Sequence, residues 1–286
     1  MRHAHLLPHL IRKTVSEALA EDLGLSGDVT TNAIIDPKWS AVADIVVRVP
    51  GMLAGLQVAI EAFRQVDPTI ELAALARDGD KVEAGQSVLT VSGNARAILT
   101  AERVALNFLG RMSGIASLTG AYVDCVAGTG ATIVETRKTT PCLRAFEKYA
   151  VRVGGGANHR FGLFDAVLIK DNHIAVAGSV GAAITAARSH AGHMLKIEVE
   201  VDTLAQLEEA LAHKIDVVLL DNMTLDELHK AVAMSSGTVL TEASGGVNLD
   251  TVRTIAETGV NLISIGALTH SAPNMDFGLD INVNTV

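Results

Sequence analysis

Apolar positions recur along this chain in two regimes, and the change between them falls near residue 131. Before it, Leu10, Val15 and Leu19 share one face of a helix in the opening segment 1–24. AVADIVVRV (41–49) and SVLTVSG (87–93) read as strands, LQVAIEAFRQV (56–66) as a helix, and a long helical pattern runs from about Asn94 to Val126. The stretch 78–93 predicts a hairpin turning at Glu83, Ala84 and Gly85. No lysine stands at that turn, so it reads as scaffold rather than as an attachment point.

From residue 131 onward, short apolar strands alternate with helical segments. The strands are ATIVET (131–136), AVLIK (166–170), KIEVEV (196–201), VVLLD (217–221), TVLTEAS (238–244) and LISIGAL (262–268). TLAQLEEALAHK (203–214), TLDELHKAVAMS (224–235) and NLDTVRTIAETG (248–259) predict helices between the later ones. Short apolar strands separated by crossovers indicate a parallel sheet. A series of this kind, with no dinucleotide glycine fingerprint at its first turn, favours an α/β barrel over a doubly wound sheet.

The strand ends carry the chemistry. They read Arg137-Lys138, Lys170-Asp171-Asn172, Glu200, Asp221-Asn222, Ser244-Gly245-Gly246 and Gly266-Ala267. In an α/β barrel all of these face one rim. The chain as a whole is acidic, with a formal charge of −9, which argues against nucleic acid as a partner. Residues 131–170 run the other way, with seven Lys/Arg against three acids. A local anion trap follows, with a solvated helical face as the plainer reading. The apolar content of 49% supports a large core, yet no run approaches the roughly 20 residues that span a bilayer. No secretory signal opens the chain, and its two cysteines, Cys125 and Cys142, have neither metal-type nor disulfide spacing; the expectation is a cytoplasmic enzyme with no membrane partner.

Arg137, Lys138, His159, Arg160 and Lys170 form a basic set suited to a substrate with more than one negative group, because guanidinium forks match carboxylate and phosphate. Glu200 and Asp221 could hold Mg²⁺, hydrogen-bond to ribose hydroxyls, or simply neutralise nearby lysines. Thr224 is better placed than Asp221 to cap the helix that follows. The glycine-bearing ends TEASGGV (241–247) and SIGALTHSA (264–272) fall on the last two strands, where barrels bind phosphate through backbone N–H groups. GGGANHR (154–160) brings a flexible approach to His159-Arg160.

The segment ETRKTTPCLRAFEKYAVRVGGGANHRFGLFDAVLIKDNHI (135–174) closely resembles the signature region of the quinolinate phosphoribosyltransferases. AERVALNFLGRMSGIAS (101–117), EVEVDT (198–203), LLDN (219–222), EASGG (242–246) and IGALTHSA (265–272) resemble further family motifs in the family's order. The resemblance implies an incomplete TIM-like α/β barrel, residues 113–273, with an N-terminal α/β sandwich domain, residues 1–112, completed by 274–286. It implies a homodimer in which Arg103 of one chain reaches the other's site. Arg137, Lys138, His159, Arg160 and Lys170 would bind the two carboxylates of quinolinate. Glu200 and Asp221 would hold the ribose hydroxyls and Mg²⁺, and Ser244, Gly245, Gly246, Gly266 and His270 would cradle phosphate. Lys138, Lys170, Glu200 and Asp221 are the expected catalytic residues.

The implied reaction converts quinolinate and phosphoribosyl pyrophosphate to nicotinate mononucleotide, pyrophosphate and CO2 in NAD biosynthesis, with Mg²⁺ and no organic cofactor. Two departures stand out: Cys142 where the motif has glycine, and Val153 where it has cysteine. Competing readings are transfer to a related pyridine acid, a Schiff-base aldolase working through Lys170, and a non-catalytic protein that binds a phosphorylated ligand.

Overall fold

The computed structural model describes residues 5–284; the first four residues of the expected opening helix and the last two of the expected C-terminal completion lie outside the described residues. Two compact units emerge. The first takes in the chain up to Leu118, then Ala145–Gly154, then the segment from Ala272 onward; the second takes in Thr119–Arg144 and Gly155–Ser271. The expected division at 112/113 falls inside one unbroken helix, Ala95–Cys125. A continuous helical pattern carries no mark of where its packing partners change.

In the first unit, β1 (Ser40–Val47) alternates exposed and buried positions and ends on the buried run Ile45–Val47. β2 (Gly51–Met52), β3 (Glu71–Ala74), β4 (Lys81–Val82) and β5 (Ser87–Asn94) follow. β5 pairs antiparallel with both β1 and β3, and the last strand, Phe277–Asn284, pairs antiparallel with the other edge of β1. β4 pairs with β2 instead, so the expected 78–93 hairpin is a turn between strands of different sheets. The turn itself is present, with Gly85 at φ 84° and the Gln86 N–H donating to the Glu83 carbonyl.

The helix Leu56–Val66 buries Leu56, Val58, Ala59, Ala62 and Phe63. Its first N–H groups are satisfied by Asp78, whose carboxylate accepts from Gly55 and Leu56 at 2.9 and 3.0 Å. The opening helix, Pro8–Leu23, packs against it through Ile11, Val15 and Leu19. Ile11 replaces the expected Leu10, because the stripe keeps a strict spacing of four.

On the long helix, Gly110 and Gly114 let the returning C-terminal segment lie against the backbone. The Met275 N–H donates to the Gly110 carbonyl at 3.0 Å, and a Cβ at Gly114 would stand 2.0 Å from the Pro273 carbonyl oxygen. Arg111, one residue on from Gly110, pairs with the buried Glu147 at 2.7 Å and donates to the Ala272 carbonyl at 3.2 Å.

The second unit carries β6 (Thr132–Val134), β7 (Val167–Ile169), β8 (Ile197–Val201), β9 (Val217–Asp221), β10 (Leu240–Ser244) and β11 (Leu262–Ser264). Their order is β6-β11-β10-β9-β8-β7 with parallel pairing throughout. Read as a ring, this is sequence order with one break, between β6 and β7. Into that break comes Ala157, which makes a single parallel bridge to Val134. The sheet is an incomplete α/β barrel, as expected. Thr203 and Thr224 each cap the following helix in a capping box, with Gln206 and Glu227 as the reciprocal partners. The expected strand 262–268 stops at Ser264, and Ala267–His270 is already helical. No helix among the described residues is long and apolar enough to cross a membrane.

Gly114→Ala is expected to destabilise the protein by about 2–4 kcal/mol, since a methyl group must displace backbone rather than a mobile side chain. Thermal unfolding checks this. An unchanged Tm would mean that the close approach does not matter.

Candidate active site

A cavity of about 710 Å³ opens at the C-terminal ends of the second unit's strands. Twelve expected residues line it: Arg137, Lys138, His159, Arg160, Lys170, Glu200, Asp221, Ser244, Gly245, Gly246, Gly266 and His270. Arg103 is not among the lining residues; it belongs to the first unit, with 62% of its side chain exposed and Glu102 as its neighbour at 3.9 Å.

Strand periodicity orders the lining into two levels. Side chains two positions apart share a face. Below Lys170, Glu200, Asp221, Ser244 and Gly266 therefore lie Leu168, Glu198, Leu219, Glu242 and Ser264. Leu168, Leu219, Glu242 and Ser264 also line the cavity, and Glu198 and Glu242 are both buried.

Two arginines and two lysines reach this rim, and of these Arg137 and Arg160 are the partly buried ones. Burial lowers the pKa of Arg160, and the nearby charge of Arg137 lowers it further. Arg160 Nη1 donates to the Ala166 carbonyl at 3.3 Å. Among the described residues, the Nε–H groups of Arg137 and Arg160 are buried without a hydrogen-bond partner. A buried guanidinium donor left unmatched costs on the order of 1–3 kcal/mol, so this wall is complete only when something anionic supplies acceptors. Lys170 is ion-paired with Glu200 at the rim. Asp221 accepts from Asn222 Nδ2 at 2.6 Å.

The loops bearing the cations are pinned by residues the sequence did not single out for that role. Arg144 donates through Nε to Thr139 Oγ1 at 2.9 Å and through Nη1 to the Phe161 carbonyl at 3.1 Å. It thereby ties the Arg137–Thr139 turn to the segment after Arg160. Thr269 Oγ1 donates to the Lys138 carbonyl at 2.8 Å. On the glycine side, Gly245 has φ +96°, and a Cβ there would stand 2.0 Å from Asn222 Oδ1. The Asn222 N–H donates to the Ser244 carbonyl at 2.8 Å, so the ends of β9 and β10 close together only over a glycine.

Residues 115–280 match the family described as quinolinate phosphoribosyl transferase, C-terminal domain, and residues 28–113 its N-terminal domain. The chain belongs to the quinolinate phosphoribosyl transferase family. Among curated relatives, the nicotinate-nucleotide pyrophosphorylase [carboxylating] of Mycobacterium leprae is 46% identical, covering 94% of this chain and 96% of its own. A probable enzyme of the same name from Bacillus subtilis is 42% identical, covering 96% of this chain and 94% of its own. The crystal structure of NadC from Streptococcus pyogenes superposes with a TM-score of 0.95 at 43% identity, covering 99% of this chain and all of that one.

Of the two departures from the quinolinate phosphoribosyl transferase motif, one has a visible cost. Cys142 adopts φ 65°, a left-handed conformation that side chains disfavour by roughly 1–2 kcal/mol. Val153 is the last residue of the helix Arg144–Val153, where a valine causes no strain.

Cys142→Gly is expected to stabilise the fold by about 0.5–1 kcal/mol, the relief of strain less the added entropy of an unfolded glycine. Denaturant unfolding checks the sign. A destabilised variant would show that the Cys142 side chain makes a compensating contact.

Proposed function

We propose that this chain transfers the phosphoribosyl group of phosphoribosyl pyrophosphate to quinolinate, giving nicotinate mononucleotide, pyrophosphate and CO2 in NAD biosynthesis. The observation that carries this reading is the pair of buried, unmatched guanidinium donors, Arg137 Nε and Arg160 Nε, in one wall of the cavity. Relatives named as carboxylating nicotinate-nucleotide pyrophosphorylases across nearly the whole chain support it.

Arg137, Lys138, Arg160 and Lys170 surround the two carboxylates of the pyridine acid, with His159 lining the cavity behind Arg160, and orient its ring nitrogen toward C1 of the ribose. Ser244, Gly245, Gly246, Gly266 and His270 hold phosphate at the C-terminal ends of β10 and β11. As pyrophosphate leaves, positive charge develops on the sugar, and Glu200 and Asp221 favour it from the ends of β8 and β9. Once alkylated, the ring nitrogen is an electron sink, and the adjacent carboxylate departs as CO2. That sequence asks the protein for positioning and charge rather than for an organic cofactor.

Glu200 and Asp221 also fit Mg²⁺, being hard oxygen donors at neighbouring strand ends. Lys170 already occupies Glu200, so the protein offers few ligands and the diphosphate substrate would supply most of them. When bound, the ion neutralises charge on the leaving group. A homodimer in the cytoplasm, with Arg103 of the partner chain completing the cage, agrees with the exposure of that side chain. The ion pair to Glu200 also weighs against a Schiff-base role, because Lys170 is engaged at the rim with 46% of its side chain exposed rather than desolvated in an apolar pocket.

Quinolinate, phosphoribosyl pyrophosphate and Mg²⁺ are expected to yield nicotinate mononucleotide and CO2 in equal amounts, with nicotinate inert in a parallel reaction. Turnover of nicotinate without CO2 would move the protein to a related pyridine acid. Arg137→Ala and Lys138→Ala are expected to lower kcat/KM by on the order of 10²-fold or more while circular dichroism stays native. A folded variant with near-normal turnover would remove that residue from the cage.

A further inference from the structure

Beneath the cage lie three carboxylates that the proposed chemistry does not use. Glu135 follows β6, Glu198 lies in β8 and Glu242 in β10, and they are 0%, 6% and 1% exposed. Each needs compensation at that depth. Glu135 has it from the segment that enters the barrel break, accepting from Asn158 Nδ2 at 3.0 Å and from the His159 N–H at 3.1 Å. Glu198 and Glu242 share the His159 ring, whose Nε2 stands 3.1 Å from Glu198 Oε2 and 3.6 Å from Glu242 Oε1.

The other ring nitrogen fixes the tautomer. The Arg160 N–H donates to His159 Nδ1 at 2.6 Å, so Nδ1 is an acceptor and the ring hydrogen sits on Nε2. A protonated Nδ1 would set N–H against N–H. The ring therefore points a donor at the two acids. It cannot offer Nε2 to a divalent ion, although the His159, Glu198 and Glu242 ligand atoms lie within 4.8 Å of one another.

One N–H cannot neutralise two buried carboxylates. Glu198 Oε1 and Glu242 Oε1 are both buried without a hydrogen-bond partner. Burial, and after it the charge of Glu198, push Glu242 up to about 7, with Glu135 adding to the rise and His159 and the Ser264 hydroxyl opposing it. At this level Leu168 of β7 and Leu219 of β9 are apolar, and the cations of the cage stand above.

We propose that Glu242 is a positioning residue: as a neutral acid packed beside the Nε2–H edge of His159 it leaves that hydrogen to Glu198, and the ring in turn fixes the direction of Arg160. Above its titration Glu242 becomes a second unneutralised charge beneath the site for the substrate's carboxylates. A raised carboxyl pKa places the protonated form at low pH, so affinity for a dianion is lost as pH rises through about 7. The inference rests on the proposed substrate only for this binding readout.

The test is quinolinate binding by calorimetry to the intact wild-type protein, Glu242→Gln and Glu242→Ala, each at pH 6 and pH 8.5. Wild type should weaken about tenfold between the two values. Glu242→Gln, a permanently neutral isostere, should keep the pH 6 affinity at both, and Glu242→Ala should bind at least tenfold more weakly at both. Wild-type pH dependence in Glu242→Gln, or wild-type affinity in Glu242→Ala, would overturn the proposal. Should Glu242→Ala fail to fold, the glutamine variant decides alone. Should wild type bind no quinolinate, the substrate reading fails, and ¹⁵N shifts of the His159 ring in unliganded protein decide the positioning claim. A neutral Nε2–H ring at pH 6 supports it, and an imidazolium or an Nδ1–H ring overturns it.

Discussion

Stacked layers of opposite charge in the mouth of a parallel barrel are the constraint on which the rest of this structure depends. Arg137, Lys138, Arg160 and Lys170 are gathered where burial already disfavours a charged Arg160. Like charges gathered in one cavity repel unless something compensates them, and Arg137 acts on Arg160 in that sense. Glu200 does so at the rim, and the acids beneath supply negative charge from below; Glu198 in particular acts on Arg160. What stays unmatched, the two guanidinium Nε–H groups, is the part of the balance left to a ligand.

The scaffold has two tasks in keeping those charges in place. One is to bring distant strands to a common rim, which the ring order of β6–β11 does through ordinary crossover helices, two of them started by threonine capping boxes. The other is to stop the connecting loops from relaxing away from one another. Arg144 and Thr269 do this for the loop that carries Arg137 and Lys138, and Gly245 does it for the closure of Asn222 onto Ser244. The break between β6 and β7 has a use as well. It admits the 157–160 segment, so that His159 and Arg160 enter the cavity from a loop that Glu135 anchors.

Much of this was legible in the sequence, for a physical reason. Parallel strands buried on both faces read as short apolar runs, and the residue that ends each run must lie at the rim. Period alone therefore located Lys170, Glu200, Asp221 and Ser244. The same period, followed two positions inward, leads to Glu198, Glu242 and Ser264. Those residues escaped notice because a lone polar side chain inside a strand looks like a solvent-facing position until the other face is known to be covered. The 78–93 hairpin failed because a strand's pairing partner is a long-range property. The strand candidate 262–268 ran too long because Ile265 and Leu268 are apolar in a helical turn as readily as in a strand. Cys142 was noticed as a departure, but only its backbone dihedral shows that the position is one where glycine is at ease.

The central claim is that the cavity is built to match two carboxylates rather than one. Calorimetric binding of quinolinate and of nicotinate to the wild-type protein, at one pH and across a range of salt, tests it most directly. The account predicts that quinolinate binds roughly 30- to 1000-fold more tightly, the worth of about 2–4 kcal/mol of charge-assisted hydrogen bonding to otherwise unmatched guanidinium donors, and that added salt erodes the preference only partly because the site is desolvated. Equal affinities for the two acids would contradict it.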